Sequence, residues 1–412
     1  MKILINTQQV TDELNTLAAF SDTPAPAVTR IVFSEEDQRA RQWLKQLCHD
    51  AHLETREDAI GNFFARWPGS DPTLPAVGTG SHTDAIPHSG KFDGTVGVLG
   101  GLEAIRALQR AGFRPTRSLE LLMFTSEEPT RFGIGCLGSR LLCGSLAMEK
   151  VDALRDKEHK SVDDNRHAAG FSGPLPSVQL PPNYYAAFVE LHIEQGPLLE
   201  KENLPLGIVT AIAAPAALRI TLQGEGGHAG AMLMPIRKDA LCAAAEITLL
   251  IESTAKNSGS ADSVATTGIL KVHPGAINSV PSKCDLEIDI RDTKLATRDA
   301  MVEAVRKGTD DICARRNIHP TLEMINADPP ATCDPAIIAA AQEACAAMHI
   351  APKMMVSRAY HDSLFMARIC PTAMLFIPCK NGVSHRPDEY ATPEDIARGI
   401  ELLARTMATL AS

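Results

Sequence analysis

The chain has 412 residues, 44% apolar and 22% charged, with a formal net charge of -10. These values exclude a disordered, collagen-like or coiled-coil chain, allow a buried core without covalent staples, and set an expectation of two to three domains. An acidic chain with only 4% aromatic residues repels phosphate backbones and lacks stacking platforms, so nucleic acid is not the expected partner.

In chain order, residues 8–20 and 36–53 carry helical spacing, with Leu14, Leu17, Trp43, Leu44 and Leu47 on apolar faces. LETREDAIGNFFARWPG reads as two strands around a Gly-Asn turn. PAVGTGSHTDAI is a short buried strand ending in a polar loop. Residues 94–111 form a helix with a small-residue face, stopped by Gly112. SLELLMFTSEEPTRFG and AAFVELHIEQGPLLE each run from a strand into a polar loop. Strands alternating with helices predict an α/β sheet with its polar loops at the strands' carboxyl ends.

The pattern changes near residue 212. LRITLQGEGGHAG is a strand and a Gly-rich loop, and Asp239–Glu252 is a long Ala/Leu helix. SVATTGILKVHPG and SKCDLEIDIRDT alternate like half-exposed antiparallel strands, 297–317 is a second helix, and alternation recurs at Pro320–Ile325. Helix/strand alternation resumes after Asp328-Pro329-Pro330. The expected organisation is therefore a catalytic domain of residues 1–212 and 328–412, interrupted at 213–327 by an α+β domain.

The ten cysteines include no C-x-x-C pair, so we expect reduced, mostly buried thiols. MKILINTQQVTDEL has no long apolar run or small-residue cleavage site, and no stretch approaches 18 apolar residues. A cytoplasmic protein without a membrane span is expected.

Five segments place metal-type ligands at the ends of predicted strands: Ser81-His82-Thr83-Asp84, Lys91-Phe92-Asp93-Gly94, Ser126-Glu127-Glu128-Pro129, Leu191-His192-Ile193-Glu194-Gln195 and Ser384-His385-Arg386-Pro387. His82, His192 and His385 supply imidazoles, and Asp93 and Glu128 supply carboxylates, a mixture suited to zinc, manganese, cobalt or nickel. Five ligands exceed one tetrahedral zinc site and suit two ions bridged by a carboxylate. Asp84 can take the second ring N–H of His82. In a strand-end loop neighbouring side chains diverge, so one of Glu127 and Glu128 can ligate while the other acts as a general base.

These segments, in this order, resemble the dinuclear-metal M20 peptidase superfamily. GSHTDAIPHSGKFDGTVGVLGGLEAIR and HIEQGPLLE place the resemblance in its hydantoinase/carbamoylase amidase branch, which includes N-carbamoyl-L-amino-acid hydrolases, β-ureidopropionases, and allantoate and ureidoglycolate amidohydrolases. The resemblance covers nearly the whole chain. It implies a mixed-sheet α/β catalytic domain with an inserted α+β lid and dimerisation domain. It also implies two divalent ions per subunit, Mn²⁺ or Zn²⁺ with Co²⁺ or Ni²⁺ as alternatives, held by His82, Asp93, Glu128, His192 and His385, with Asp93 bridging. Glu127 would be the general base, Asp84 would orient His82, and Gln195 would lie beside the substrate. Glu194 is assigned to helix capping or a loop hydrogen bond.

GEGGHAGAMLMPIRKDA and PGAINSVPSKCDLEIDIRD resemble the branch's lid segments. They imply substrate roles for His228, Asn278 and Arg291, and a homodimer in which His228 acts across the interface. Arg291 offers a planar fork for a substrate carboxylate, with an ion pair to Asp289 as the bland alternative. His228 can donate to a developing oxyanion. HAGAMLM departs from the usual HAGTTPM, which alters the expected pocket wall. In SRAYHDSLFMARICP, Arg358 and Tyr360 replace small residues. Arg358 is expected to meet an anion, or to pair with Asp362 or Asp388. Together with SEEPTRFGIGCLGSRLL, TAIAAPA and HPGAIN, this segment is most similar to the ureidoglycolate amidohydrolases. The expected activity is hydrolysis of the carbamoyl C–N bond of a small ureido acid such as (S)-ureidoglycolate. N-carbamoyl-L-amino acids, β-ureidopropionate or allantoate are alternative substrates, and a dipeptidase or a non-catalytic binding protein is a more distant reading.

Overall fold

Four strands with almost no polar face set the centre of the first unit. Ala76–His82, Leu119–Phe124, Tyr185–Ile193 and Thr372–Ile377 are buried along nearly their whole length. Strands covered on both faces belong to parallel sheets, and these four pair in parallel. Phe63–Trp67, Glu54–Glu57 and Gly207–Ile212 extend the sheet antiparallel at its two sides, so it is mixed. The computed structural model describes all residues from Met1 to Ser412. It divides into one unit of Met1–Thr210, Cys333–Met355 and His361–Ser412, and a second of Ala211–Thr332 and Val356–Tyr360. Residues 356–360, grouped above with 328–412, thus cluster with the second unit.

Helices Thr95–Arg110 and Pro393–Leu410 pack on one another and on the parallel strands. Their small residues permit the approach. A Cβ at Gly97 would stand 2.5 Å from the Leu191 carbonyl oxygen, and one at Gly399 would stand 2.5 Å from Ile377. Between Glu54–Glu57 and Phe63–Trp67 the expected turn is held by Asp58, whose Oδ1 accepts from Ile60, Gly61 and Asn62 N–H. Short helices at Leu137–Leu142, Met148–Ala153 and Val162–Ala168 had no clear signal in the sequence. They are too short to show an apolar period.

The second unit is a four-stranded antiparallel sheet in the order Val264–His273, Lys283–Asp292, Ala214–Gln223, His319–Ala327. Lys283–Asp292 alternates buried and half-buried positions, as a strand does with one face on a core. Helices Ala240–Lys256 and Leu295–Arg316 supply the rest of that core, joining Ile247, Ile251, Met301 and Val305 to Leu218, Ile220, Leu286 and Ile288. Asp239 caps the first helix through Leu241 and Cys242 N–H. No cysteine is bridged, and all but Cys143 and Cys242 are buried. No helix is long and apolar enough to cross a membrane.

Candidate metal centre

The four parallel strands all release their chains at one edge of the sheet, where α/β folds place ligands. His82 ends the first strand, Glu127 and Glu128 follow the second, and His192 lies one residue before the end of the third. The chain leaving the fourth reaches His385. Asp93 precedes the helix Thr95–Arg110. Its Oδ1 lies 3.5 Å from His82 Nε2 and 3.2 Å from His192 Nε2. Its Oδ2 lies 3.2 Å from His385 Nε2, which in turn is 3.3 Å from Glu128 Oε1. The result is two three-ligand groups, His82–Asp93–His192 and Asp93–Glu128–His385, that share one carboxylate.

Local geometry preorganises these donors. His82 Nδ1 lies 3.0 Å from the Asp84 carbonyl oxygen, and His192 Nδ1 lies 2.9 Å from that of Ile193. A carbonyl only accepts, so both rings carry hydrogen on Nδ1 and turn Nε2 toward Asp93. Gly94 has φ +66°, and a Cβ there would stand 2.5 Å from the His82 ring, so only glycine allows this approach. Ser126, Gln195 and His385 also hold positive φ, at 58°, 54° and 60°. Each costs roughly 1–3 kcal/mol, tolerated where surrounding structure fixes the backbone.

The electrostatics favour added positive charge. Burial works against the His82 cation, yet Glu127, Asp93 and Asp84 hold that imidazole well above its ordinary range. Hydrogen bonds to Asp93 and Glu128 raise His385 to about 11. Burial opposes ionisation of Asp93, but its three imidazole neighbours keep it well below the usual carboxylate range. A buried set of carboxylates that draws protons onto neighbouring imidazoles is equally suited to draw divalent cations in their place. The oxygen and nitrogen donors therefore fit a pair of divalent ions.

Glu127 stands apart from the two groups, with Oε2 3.7 Å from His82 Nε2. Burial pushes its carboxyl well above the usual range, opposed by His82 and reinforced by Glu128 and Asp362. Cys136 Sγ donates to Glu127 Oε1 at 3.4 Å. The expectation for Asp84 needs correction. Its carbonyl orients His82, while its carboxylate, 3.8 Å from the ring, accepts from Glu127 N–H at 3.2 Å and Glu128 N–H at 3.0 Å. Asp84 therefore fixes the glutamate pair as well as the imidazole. Gln195, expected beside a substrate, donates from Nε2 to Asp93 Oδ2 at 2.7 Å. Glu194 accepts from Leu198 and Leu199 N–H and caps the short helix there.

Several supporting groups were not anticipated from sequence. Glu389 is buried, and its Oε1 accepts from Phe92 and Asp93 N–H. The His361 ring packs edge-on against His192 at 4.7 Å. Glu190, His192 and His361 also converge, but the Glu190 oxygens are engaged by Ser81 Oγ and Ser363 Oγ. That carboxylate supports the wall behind His192. The His-Asp pair at 361–362 was visible in the sequence; Glu389 carried no signal beyond its place four residues after His385.

The remaining expected residues lie in the second unit. His228 is exposed on a two-residue strand opposite Ser279–Val280, and Ala229 N–H donates to the Asn278 carbonyl oxygen at 2.8 Å. Arg291 makes the ion pair given above as its bland alternative: Nε and one terminal nitrogen donate to Asp289 at 2.7 and 2.9 Å. The other terminal nitrogen donates to the Arg358 carbonyl oxygen. Arg358 pairs with Asp262, not with Asp362 or Asp388, and Tyr360 donates to Asp328. These two contacts hold segment 356–360 within the second unit.

The model of Peptidase family M20/M25/M40 matches residues 78–409. A ureidoglycolate hydrolase of Oryza sativa subsp. japonica is 52% identical over 97% of this chain and 83% of its own length. Crystal structures of AtUAH in complex with glyoxylate and with (S)-hydroxyglycine superpose with a TM-score of 0.90 at 50% and 49% identity, each covering 99% of this chain and 98% of the other. A hydantoinase/carbamoylase family amidase from Burkholderia multivorans also gives 0.90, at 33% identity and the same coverage. With its strand-end donor set, and with a family match over most of its length, the chain belongs to the Peptidase M20/M25/M40 family.

Proposed function

We propose that the protein is a dinuclear metal-dependent amidohydrolase that cleaves the ureido C–N bond of (S)-ureidoglycolate. The observation that carries the chemistry is the pair of three-ligand groups sharing Asp93, with Glu127 alongside but outside both. The substrate assignment is supported by the 52% identity to the Oryza sativa ureidoglycolate hydrolase.

Two divalent ions, Mn²⁺ or Zn²⁺, would polarise the ureido oxygen and make a water nucleophilic at neutral pH. His82 and His192 would hold one ion and Glu128 and His385 the other, with Asp93 common to both groups. Glu127 takes the proton of the attacking water and delivers it to the departing nitrogen. The water oxygen becomes bonded to the carbonyl carbon and the C–N bond to that nitrogen breaks, leaving a carbamic acid whose own O–H proton passes to its remaining nitrogen as the second C–N bond breaks. Carbon dioxide, ammonia and hydroxyglycine result, and hydroxyglycine collapses to glyoxylate and a second ammonia. Arg291, with Asn278, recognises the substrate carboxylate; Arg358 and Tyr360 restrict the ligand to small polar acids.

The protein acts as a C₂ dimer joined through the second unit, with His228 serving the partner's site. The edge strand Val264–His273, with Ile269 and Leu270 exposed, supports this as a surface for a second copy. The chemistry is tested by incubating the Mn²⁺-loaded protein with (S)-ureidoglycolate. Two ammonia per glyoxylate are expected, and chelation should stop the reaction reversibly. Full turnover by protein verified to be free of metal would refute the mechanism. Mixing His228→Ala chains with Glu127→Gln chains should restore activity; proven subunit exchange without recovery would refute action across the interface.

A further inference from the structure

Asp93 must present one oxygen to each half of the site, yet it sits on a loop. What fixes it comes from the far end of the sequence. Glu389 Oε1 accepts from Phe92 N–H at 2.8 Å and Asp93 N–H at 3.1 Å. Ser384 Oγ lies 2.9 Å from Glu389 Oε2 and 2.8 Å from Asp93 Oδ2. Ser384 immediately precedes His385, whose Nε2 faces the same Asp93 oxygen. One buried carboxylate therefore clamps the loop that carries Asp93 to the loop that carries His385. Gly90 makes room for it, because a Cβ there would stand 2.4 Å from Glu389.

The clamp bears more heavily on one half of the site. Asp93 Oδ1, His82 and His192 are buried, and both rings are pinned by backbone carbonyls. His385 has no such anchor: its side chain is 47% exposed and its backbone is left-handed. Its position rests on the loop Ser384–Glu389.

We infer that Glu389, acting through Ser384 and the backbone N–H groups of Phe92 and Asp93, is a positioning residue that matters more for the Asp93–Glu128–His385 ion position than for the His82–Asp93–His192 position. This rests on the two-ion reading above. Supporting partners of metal ligands typically change ion affinity by about 10–100-fold when removed. Loss of Glu389 should therefore weaken one ion by that factor and the other by less.

The test is calorimetric titration of chelator-stripped full-length protein with Mn²⁺, without substrate. Wild type should take up two ions. Glu389→Ala should weaken one of them by about 10–100-fold, with the second weakened clearly less. Glu389→Gln, which retains an acceptor for the two N–H groups, should lose less. Ser384→Ala should weaken the same ion and serves as the second variant should Glu389→Ala fail to fold. In a His385→Ala background, Glu389→Ala should add no further loss, because coupled groups are non-additive. Wild-type affinity at both positions in Glu389→Ala and in Ser384→Ala would overturn the inference, as would equal weakening of both ions. A wild-type protein that takes up fewer than two ions would overturn the two-ion reading and the inference with it.

Discussion

The residues expected to carry chemistry behave differently in the two units. In the first, His82, Asp93, Glu127, Glu128 and His192 are buried; backbone carbonyls turn the two rings, and the Asp84 carboxylate holds the backbone of the glutamate pair. In the second, His228 on its two-residue strand and Asn278 in a turn are exposed, while Arg291, Arg358 and Tyr360 hold acidic or carbonyl partners. The difference separates two tasks. Donors that must converge within about 3 Å need positions fixed by strand ends or by clamped loops. Under the proposed function, the second unit's charged groups wait in provisional pairs, which a substrate carboxylate would displace.

The largest expected effect breaks the first region's chemistry without its ligation. Glu127→Gln should lower kcat by at least about 10²–10⁴-fold while elemental analysis still finds the metals. Glu128→Gln should instead deplete metal. Exchanged phenotypes would reverse the roles of the two glutamates.

Packing gives the next effect. Phe376 lies on a central parallel strand and is 1% exposed. Phe376→Ala should cost about 3–5 kcal/mol in denaturant unfolding. Ile269 in the second unit is 40% exposed, and Ile269→Ala should change the stability of a dissociated chain by no more than about 0.5 kcal/mol. Comparable losses at both positions would contradict the burial contrast.

Recognition follows. Arg291→Ala should raise KM by about one to two decades, the worth of roughly 1.5–3 kcal/mol for a charge-assisted contact, with kcat little changed. An unchanged KM would leave Arg291 with only its structural pair to Asp289. Asp289→Asn, which weakens the competing pair, should have the smallest effect: a lower KM by a few-fold, on the order of 0.5–1 kcal/mol for an exposed pair. A raised KM would make Asp289 an orienting group.

The strand-end donors were legible because each sits where a buried apolar run ends in a polar loop: His82 after AVGTGS, Glu127-Glu128 after LELLMFTS, His192 within VELHIEQ. The antiparallel unit was legible because Lys283–Asp292 alternates so regularly. The Arg291–Asp289 pair was legible as the alternative given for Arg291, since residues two apart on a strand share a face. The Glu389 clamp could not, because 296 residues separate it from Asp93. Nor could the second role of Asp84: motif spacing does not tell a carboxylate contact from a carbonyl one. Segment 356–360 joins the second unit through side-chain contacts, and nothing in its composition marks that change.

A two-ion hydrolase with a pocket for a small polar ureido acid is tested most directly by kcat/KM of the metal-loaded protein for (S)-ureidoglycolate, allantoate, β-ureidopropionate, N-carbamoyl-L-leucine and N-carbamoyl-L-phenylalanine, with metal content measured on the same preparation. The account predicts two ions per chain and a kcat/KM for (S)-ureidoglycolate at least tenfold above every other substrate. A preference for the bulky apolar N-carbamoyl amino acids would contradict the substrate assignment, and undiminished activity in chelated, metal-free protein would contradict the mechanism.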